Sequence, residues 1–127
     1  MINEAKLADN ELDKVAGGSF GPTQHTIEVK ARNFDTFIHS ARKVIILIGA
    51  GWCTPSKITA LALEDFAANK GDSTLVGTMD VDDPDNDQLM QRLNVTSIPT
   101  ILKYEDGILT EQTIGAVKRE NLRKLFF

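Results

Sequence analysis

Residues 44–57 read VIILIGAGWCTPSK, and their reading decides the fold. Val44 to Ile48 is an apolar, β-branched-rich run without polar alternation. That is the pattern of a strand buried on both faces in the middle of a sheet. Gly49-Ala50-Gly51 breaks the run. Thr54, Pro55 and the apolar spacing after them predict a helix, because proline is best tolerated in a helix's first turn. Cys53 therefore stands where a central strand gives way to a helix, and it is the single cysteine of the chain. A helix start presents unpaired N–H groups and the positive end of a dipole, and both favour a thiolate over a thiol. At the place where a second cysteine would complete C-x-x-C stands Ser56.

The chain has 127 residues, 42% hydrophobic and 25% charged, enough for the core of one domain. A net charge of −4 without any basic run argues against nucleic acid as the main partner. No apolar run approaches the ~20 residues that a membrane helix needs. A lone cysteine excludes an internal disulfide, so packing alone holds the fold and Cys53 can pair only with another molecule. Asp80 to Asp87 lacks the central glycine and closing glutamate of a calcium loop, and His25 and His39 lack ligand spacing. No metal or cofactor is expected.

Upstream of the central strand, Asn33 is read as the cap of a helix over Phe34 to Ala41. His25 to Lys30 alternates and is read as a first strand, and residues 19–24 (SFGPTQ) as a linker marked by Gly21-Pro22. Downstream, the helix after Cys53 is expected to run to about Asn69, burying Ile58, Leu61 and Phe66, and to end at Lys70-Gly71-Asp72. A strand over Leu75 to Val81 follows. Asp83 then caps a helix with Pro84 at its first position, running to about Leu93. After Ser97-Ile98-Pro99-Thr100 come a strand over Ile101 to Glu105, an Asp106-Gly107 hairpin turn and a strand over Leu109 to Ile114. Gly115-Ala116 leads to a terminal helix over Lys118 to Phe127. This order implies an α/β fold with a central mixed β-sheet flanked by helices.

Residues 1–18 read MINEAKLADNELDKVAGG. Leu7, Leu12 and Val15 recur at helical spacing among polar residues, which predicts a short amphipathic N-terminal helix. No cationic start leads into an apolar stretch, so this is not a general secretory signal. The segment resembles the double-glycine leader peptides of exported bacterial peptides. Counting back from Gly17-Gly18, the family's apolar positions hold Val15, Leu12 and Leu7, and its glutamate position holds Glu11. The resemblance implies cleavage after Gly18 by the peptidase domain of an ABC transporter. The mature chain would then begin at Ser19 and work outside the cytoplasm, where disulfides persist. Uncut, it would stay cytoplasmic.

From residue 25 to 127 the chain resembles the thioredoxin family. The resemblance rests on Trp52-Cys53-Thr54-Pro55-x-Lys57, Asp80-x-Asp82, Ile98-Pro99-Thr100 and Gly115-Ala116, each at its expected place in the element order. It implies a thioredoxin-like fold, a cis bond between Ile98 and Pro99, and a docking edge there for an extended peptide. By the same resemblance Trp52, with Thr54 and Pro55, forms a shoulder beside the thiol, and Gly115 leaves room for the substrate backbone. Three departures stand out. Ser56 replaces the resolving cysteine, Leu47 replaces the family's buried acid, and Thr78 replaces its lysine partner. Losing both members of a buried charged pair is self-consistent, since losing one strands a charge.

These residues imply monothiol exchange. Cys53 attacks the disulfide of a Cys-containing peptide, and the mixed disulfide waits for a second thiol such as glutathione. Ser56 would assist by hydrogen-bonding the thiolate. Two other readings fit the residues: a dithiol oxidoreductase whose second cysteine has been replaced by serine, or a redox-inactive module that binds peptides between Trp52 and Pro99.

Overall fold

Residues 20–70, 73–118 and 120–122 are described in the computed structural model of the chain. In chain order they form β1 (Ile27–Glu28), α1 (Ala31–Ile38), β2 (Lys43–Gly49), α2 (Thr54–Asn69) and β3 (Leu75–Asp80). A 3-10 turn (Pro84–Asn86), α3 (Asp87–Arg92), β4 (Thr100–Glu105) and β5 (Ile108–Ile114) complete the order. The strands make one mixed sheet in the order β1-β3-β2-β4-β5. β1, β3 and β2 run parallel, and β4 and β5 pair antiparallel.

The apolar run becomes β2, the central strand, with its interior fully buried. Its side chains alternate between two cores. Val44, Ile46 and Ile48 face Phe34, Phe37 and Ile38 of α1 and Leu89 and Met90 of α3. Ile45 and Leu47 face Ala60, Leu63 and Ala67 of α2, with Phe20, Val117 and Leu122. A strand wedged between helices on both sides can carry no polar alternation, which is why this one is uniformly apolar.

Several boundaries differ from the sequence expectation. β1 has a ladder of only two residues, Ile27 and Glu28, each exposed at the sheet edge. α1 begins at Ala31, so Asn33 sits in its first turn and is not the cap; its Oδ1 accepts a bond from the Lys30 N–H at 2.6 Å. α2 buries Ser56, Thr59, Ala60, Leu63 and Ala67. Ile58 and Leu61, expected inside, are 55% and 53% exposed, and Phe66 is partly buried. Hydroxyl residues occupy part of the inward stripe, so apolarity alone mis-phases the helix. Phe20, read as linker, is 1% exposed and packs into the α2-side core.

Other expectations hold. The Asp83 side chain accepts from Asp85 N–H and Pro84 opens the turn, as an N-cap requires. Asp106 and Gly107 both take positive φ, 54° and 80°, giving the tight turn between β4 and β5. Residues 1–19, where the expected leader helix falls, lie outside the described residues, as do 71–72 and most of the terminal helix.

Candidate active site

The C-terminal ends of β2, β3 and β5 and the start of β4 meet at one end of the sheet. Gly49 is the register partner of Asp80, Ile48 of Thr100, and Thr100 of Ile114. The loops leaving these positions carry the residues singled out from the sequence. The Gly49-to-Cys53 turn, Asp80 to Asp82, Ile98-Pro99 and Gly115 are thereby gathered by strand register.

Cys53 is the N-cap residue of α2 and half-buried. Its N–H bonds Ala50 O at 3.1 Å, and its own carbonyl accepts the first helical bond from Lys57 N–H at 3.1 Å. Thr54 and Pro55 follow in the first turn, exposed. Beside them Trp52 is 69% exposed, yet it is not loose. Its Nε1–H donates to Asp82 Oδ2 at 2.7 Å, pinning the indole across the end of the sheet. Asp82 N–H in turn bonds Asp80 Oδ1 at 2.9 Å.

The Ile98–Pro99 bond is cis, Pro99 is buried, and Ile98 is partly exposed. Pro99 O accepts from Gly115 N–H at 2.8 Å, and Thr100 Oγ1 donates to Ser97 O at 2.6 Å. Gly115 takes φ 103°, a conformation open to glycine at no steric cost. Trp52 and Ile98 line a common groove of about 370 Å³ whose other apolar walls are Val81, Met90 and Val95.

Ser56 behaves differently from the expectation. It is fully buried, and its Oγ has no hydrogen-bond partner among the described residues, Cys53 included. It points back at the sheet: an ideal Cβ on Gly49 would lie 2.7 Å from Ser56 Oγ. Gly49 therefore lets the first turn of α2 press onto β2, with Ser56 as the contact. The hydroxyl–thiolate bond is not made. Leu47 and Thr78 are register partners on adjacent strands, both buried, and Thr78 Oγ1 is likewise without a partner among the described residues.

Asp80 is the ionisable group behind the site. Its side chain is buried and accepts from Phe20 N–H at 3.2 Å through Oδ2. Burial pushes its carboxyl above the ordinary carboxylate range, against the pull of the bonds from Asp82 and Phe20. Sequence reasoning passed over Phe20, the grip of Asp82 on Trp52, and the groove walls. The aspartate pair at the end of β3 was the available signal for the second of these. Among the described residues no three His, Cys, Asp or Glu side chains come together as a metal would require.

The thioredoxin family model matches residues 25–126. The chain is 36% identical over 92 residues to the thioredoxin of Mycolicibacterium smegmatis, covering 72% of this chain and 82% of that protein. It is 30% identical over 97 residues to the thioredoxin of Alicyclobacillus acidocaldarius, covering 76% and 90%. Among solved structures, a mutant thioredoxin from Halobacterium salinarum superposes with a TM-score of 0.72 at 24% identity, over 85% of this chain and 92% of that one. At that identity the superposition speaks to the fold alone.

Proposed function

The chain belongs to the thioredoxin family, and from that premise we propose that it exchanges thiols and disulfides through Cys53 alone. The observation that carries this reading is the pairing of one cysteine, at the N-cap of α2, with a buried serine in the first turn of the same helix. The Cys53 thiolate attacks one sulfur of a substrate disulfide. A Cys53–substrate disulfide forms, and the other sulfur leaves as a thiolate that takes up a proton. Ser56 cannot break the new bond. A thiol from the substrate or from a small thiol such as glutathione must attack it, returning Cys53 to the thiolate. Trp52, Thr54 and Pro55 on one side and Ile98, Pro99 and Gly115 on the other would hold the substrate segment. The uncharged Leu47–Thr78 pair supports the reading: by the resemblance, the acid expected at the place of Leu47 serves a resolving cysteine, and this site has neither.

Insulin reduction with dithiothreitol tests this by comparison with Ser56→Cys. The variant should turn over about tenfold faster or more, because an intramolecular thiol has a far higher effective concentration than a millimolar reductant. Equal turnover would sink the monothiol reading.

We further propose that residues 1–18 act as a double-glycine leader, cut after Gly18 by a peptidase-containing ABC transporter, and that the mature chain is exported from a bacterial cell. The spacing of Leu7, Leu12 and Val15 before Gly17-Gly18 supports it. The mass of exported material should correspond to a start at Ser19; any other start counts against the leader.

A further inference from the structure

We infer that the groove beside Trp52 selects cationic substrates: it takes a lysine or arginine side chain next to the target cysteine of a polypeptide. This rests on Cys53 being the exchanging thiol. The groove has an apolar wall made by Trp52, Val81, Met90 and Ile98, and Asp87 at the start of α3 closes part of it. A lysine or arginine matches such a mixed lining, laying its methylene stem on the wall with its charged head at the carboxylate.

The segment after β3 is acidic throughout, and the cations that act on it, Lys30 and Arg32 at the start of α1, do so at Asp83. Asp82, Asp83, Asp85 and Asp87 all fall within the short stretch that follows β3. Asp83 is neutralised by Lys30, whose Nζ lies 2.9 Å from Oδ2. Among the described residues no ion pair is formed by Asp82, Asp85 or Asp87, and all three are exposed. Asp82 is held by Trp52 Nε1–H, a neutral donor that leaves its charge in place. The cation of α3, Arg92, sits in the last turn, at the opposite end from Asp87. A polypeptide bearing Lys or Arg is therefore drawn toward the thiol, and an anionic one is repelled. Glutathione, which is itself anionic, would be the poorer encounter partner.

Two readouts on the full chain separate this inference from the one beneath it. The first is binding without chemistry. Trp52 is the chain's single tryptophan, so its fluorescence reports occupation of the groove. Two peptides, identical except for Lys or Glu on either side of a serine standing in for cysteine, are titrated in. The Lys peptide should bind about tenfold more tightly at low salt, with the ratio falling toward one at high salt. Asp87→Lys should shrink or invert the ratio and Asp87→Glu should keep it; Gln91→Lys, on the same groove wall, should act like Asp87→Lys. Equal binding of the two peptides, or a ratio indifferent to Asp87→Lys and Gln91→Lys, overturns the inference even if the thiol is active.

The second readout is reaction. The same peptides carry cysteine as its 2-pyridyl disulfide. The Cys53 thiolate attacks the peptide sulfur, the Cys53–peptide disulfide forms, and pyridine-2-thione leaves with the electron pair and is protonated. The Lys peptide should react faster by a similar factor. Equal rates for the two peptides contradict the inference. An inert Cys53 toward a neutral pyridyl disulfide overturns the exchange reading instead, and leaves the fluorescence titration to decide the groove.

Discussion

At the residue scale the site turns on one thiol and on the buried hydroxyls of Ser56 and Thr78, which have no hydrogen-bond partner among the described residues. Cys53 was legible from the sequence because its chemistry travels with its identity, a thiol at a helix start; Pro99 and Gly115 were legible as site residues only through the resemblance to the thioredoxin family. Ser56 was legible as an absence of sulfur but not in its role, because its direction depends on how closely α2 approaches Gly49. Thr78 is the cleaner probe of the same buried layer. Its Oγ1 is buried without a partner among the described residues, beside the wholly apolar Leu47. An unsatisfied buried hydroxyl is destabilising, and replacing it with a methyl group of similar shape removes the penalty. Thr78→Val should therefore raise the unfolding free energy by about 1 kcal/mol in urea denaturation. A loss of that size would mean that Thr78 Oγ1 is in fact bonded in solution.

At the element scale the sequence read strands and turns better than helix phase. β2 and the Asp106-Gly107 hairpin carry strong local signals, an unbroken apolar run and a turn that demands positive φ. α2 does not, because Ile58 and Leu61 are apolar but face outward while Thr59 faces in. Thr59 takes that place because its Oγ1 accepts from Val117 N–H at 3.2 Å, tying the segment after β5 to α2. A second tie holds the segment before β1. Glu64 on α2 accepts from Thr23 Oγ1 and His25 N–H and meets His25 Nδ1, contacts between distant parts of the chain that no local pattern signals. Burial acts to raise the Glu64 pKa, but the bonds from Thr23 and His25 outweigh it and hold the carboxyl below its ordinary 4.5. The native state thus binds this proton less readily than the unfolded chain. The stabilisation is full above 4.5 and is lost as pH falls through the lower native value. In urea titrations the wild type should exceed Glu64→Gln at about pH 6, and the gap should close as the pH approaches about 3. A gap independent of pH would show that the carboxylate's charge contributes nothing to the tie.

At the scale of the whole molecule, one end of the sheet does the work. The turn after β2 supplies Cys53, the turn after β3 the aspartate that pins Trp52, the residues before β4 the Ile98–Pro99 edge, and the residue after β5 Gly115. The order of strands and helices was legible because each apolar run is punctuated by Gly, Pro or Asp. The meeting of their ends follows from the parallel crossovers. Phe20 was not legible, since Gly21-Pro22 signals a linker while the ring before it is locked beside Leu47 and Ala60 in the core. The packed domain therefore begins upstream of the first strand, close after the double glycine. The central claim is that Cys53 acts without a resolving partner. It is tested most directly by intact-mass spectrometry of the chain mixed, free of reductant, with a disulfide-linked pair of peptides and quenched in acid. One peptide should be found on Cys53, and once the released peptide thiol has been removed at low pH the adduct should persist at neutral pH until a thiol is added. An unmodified Cys53, or an adduct that disappears with no thiol supplied, would contradict the claim.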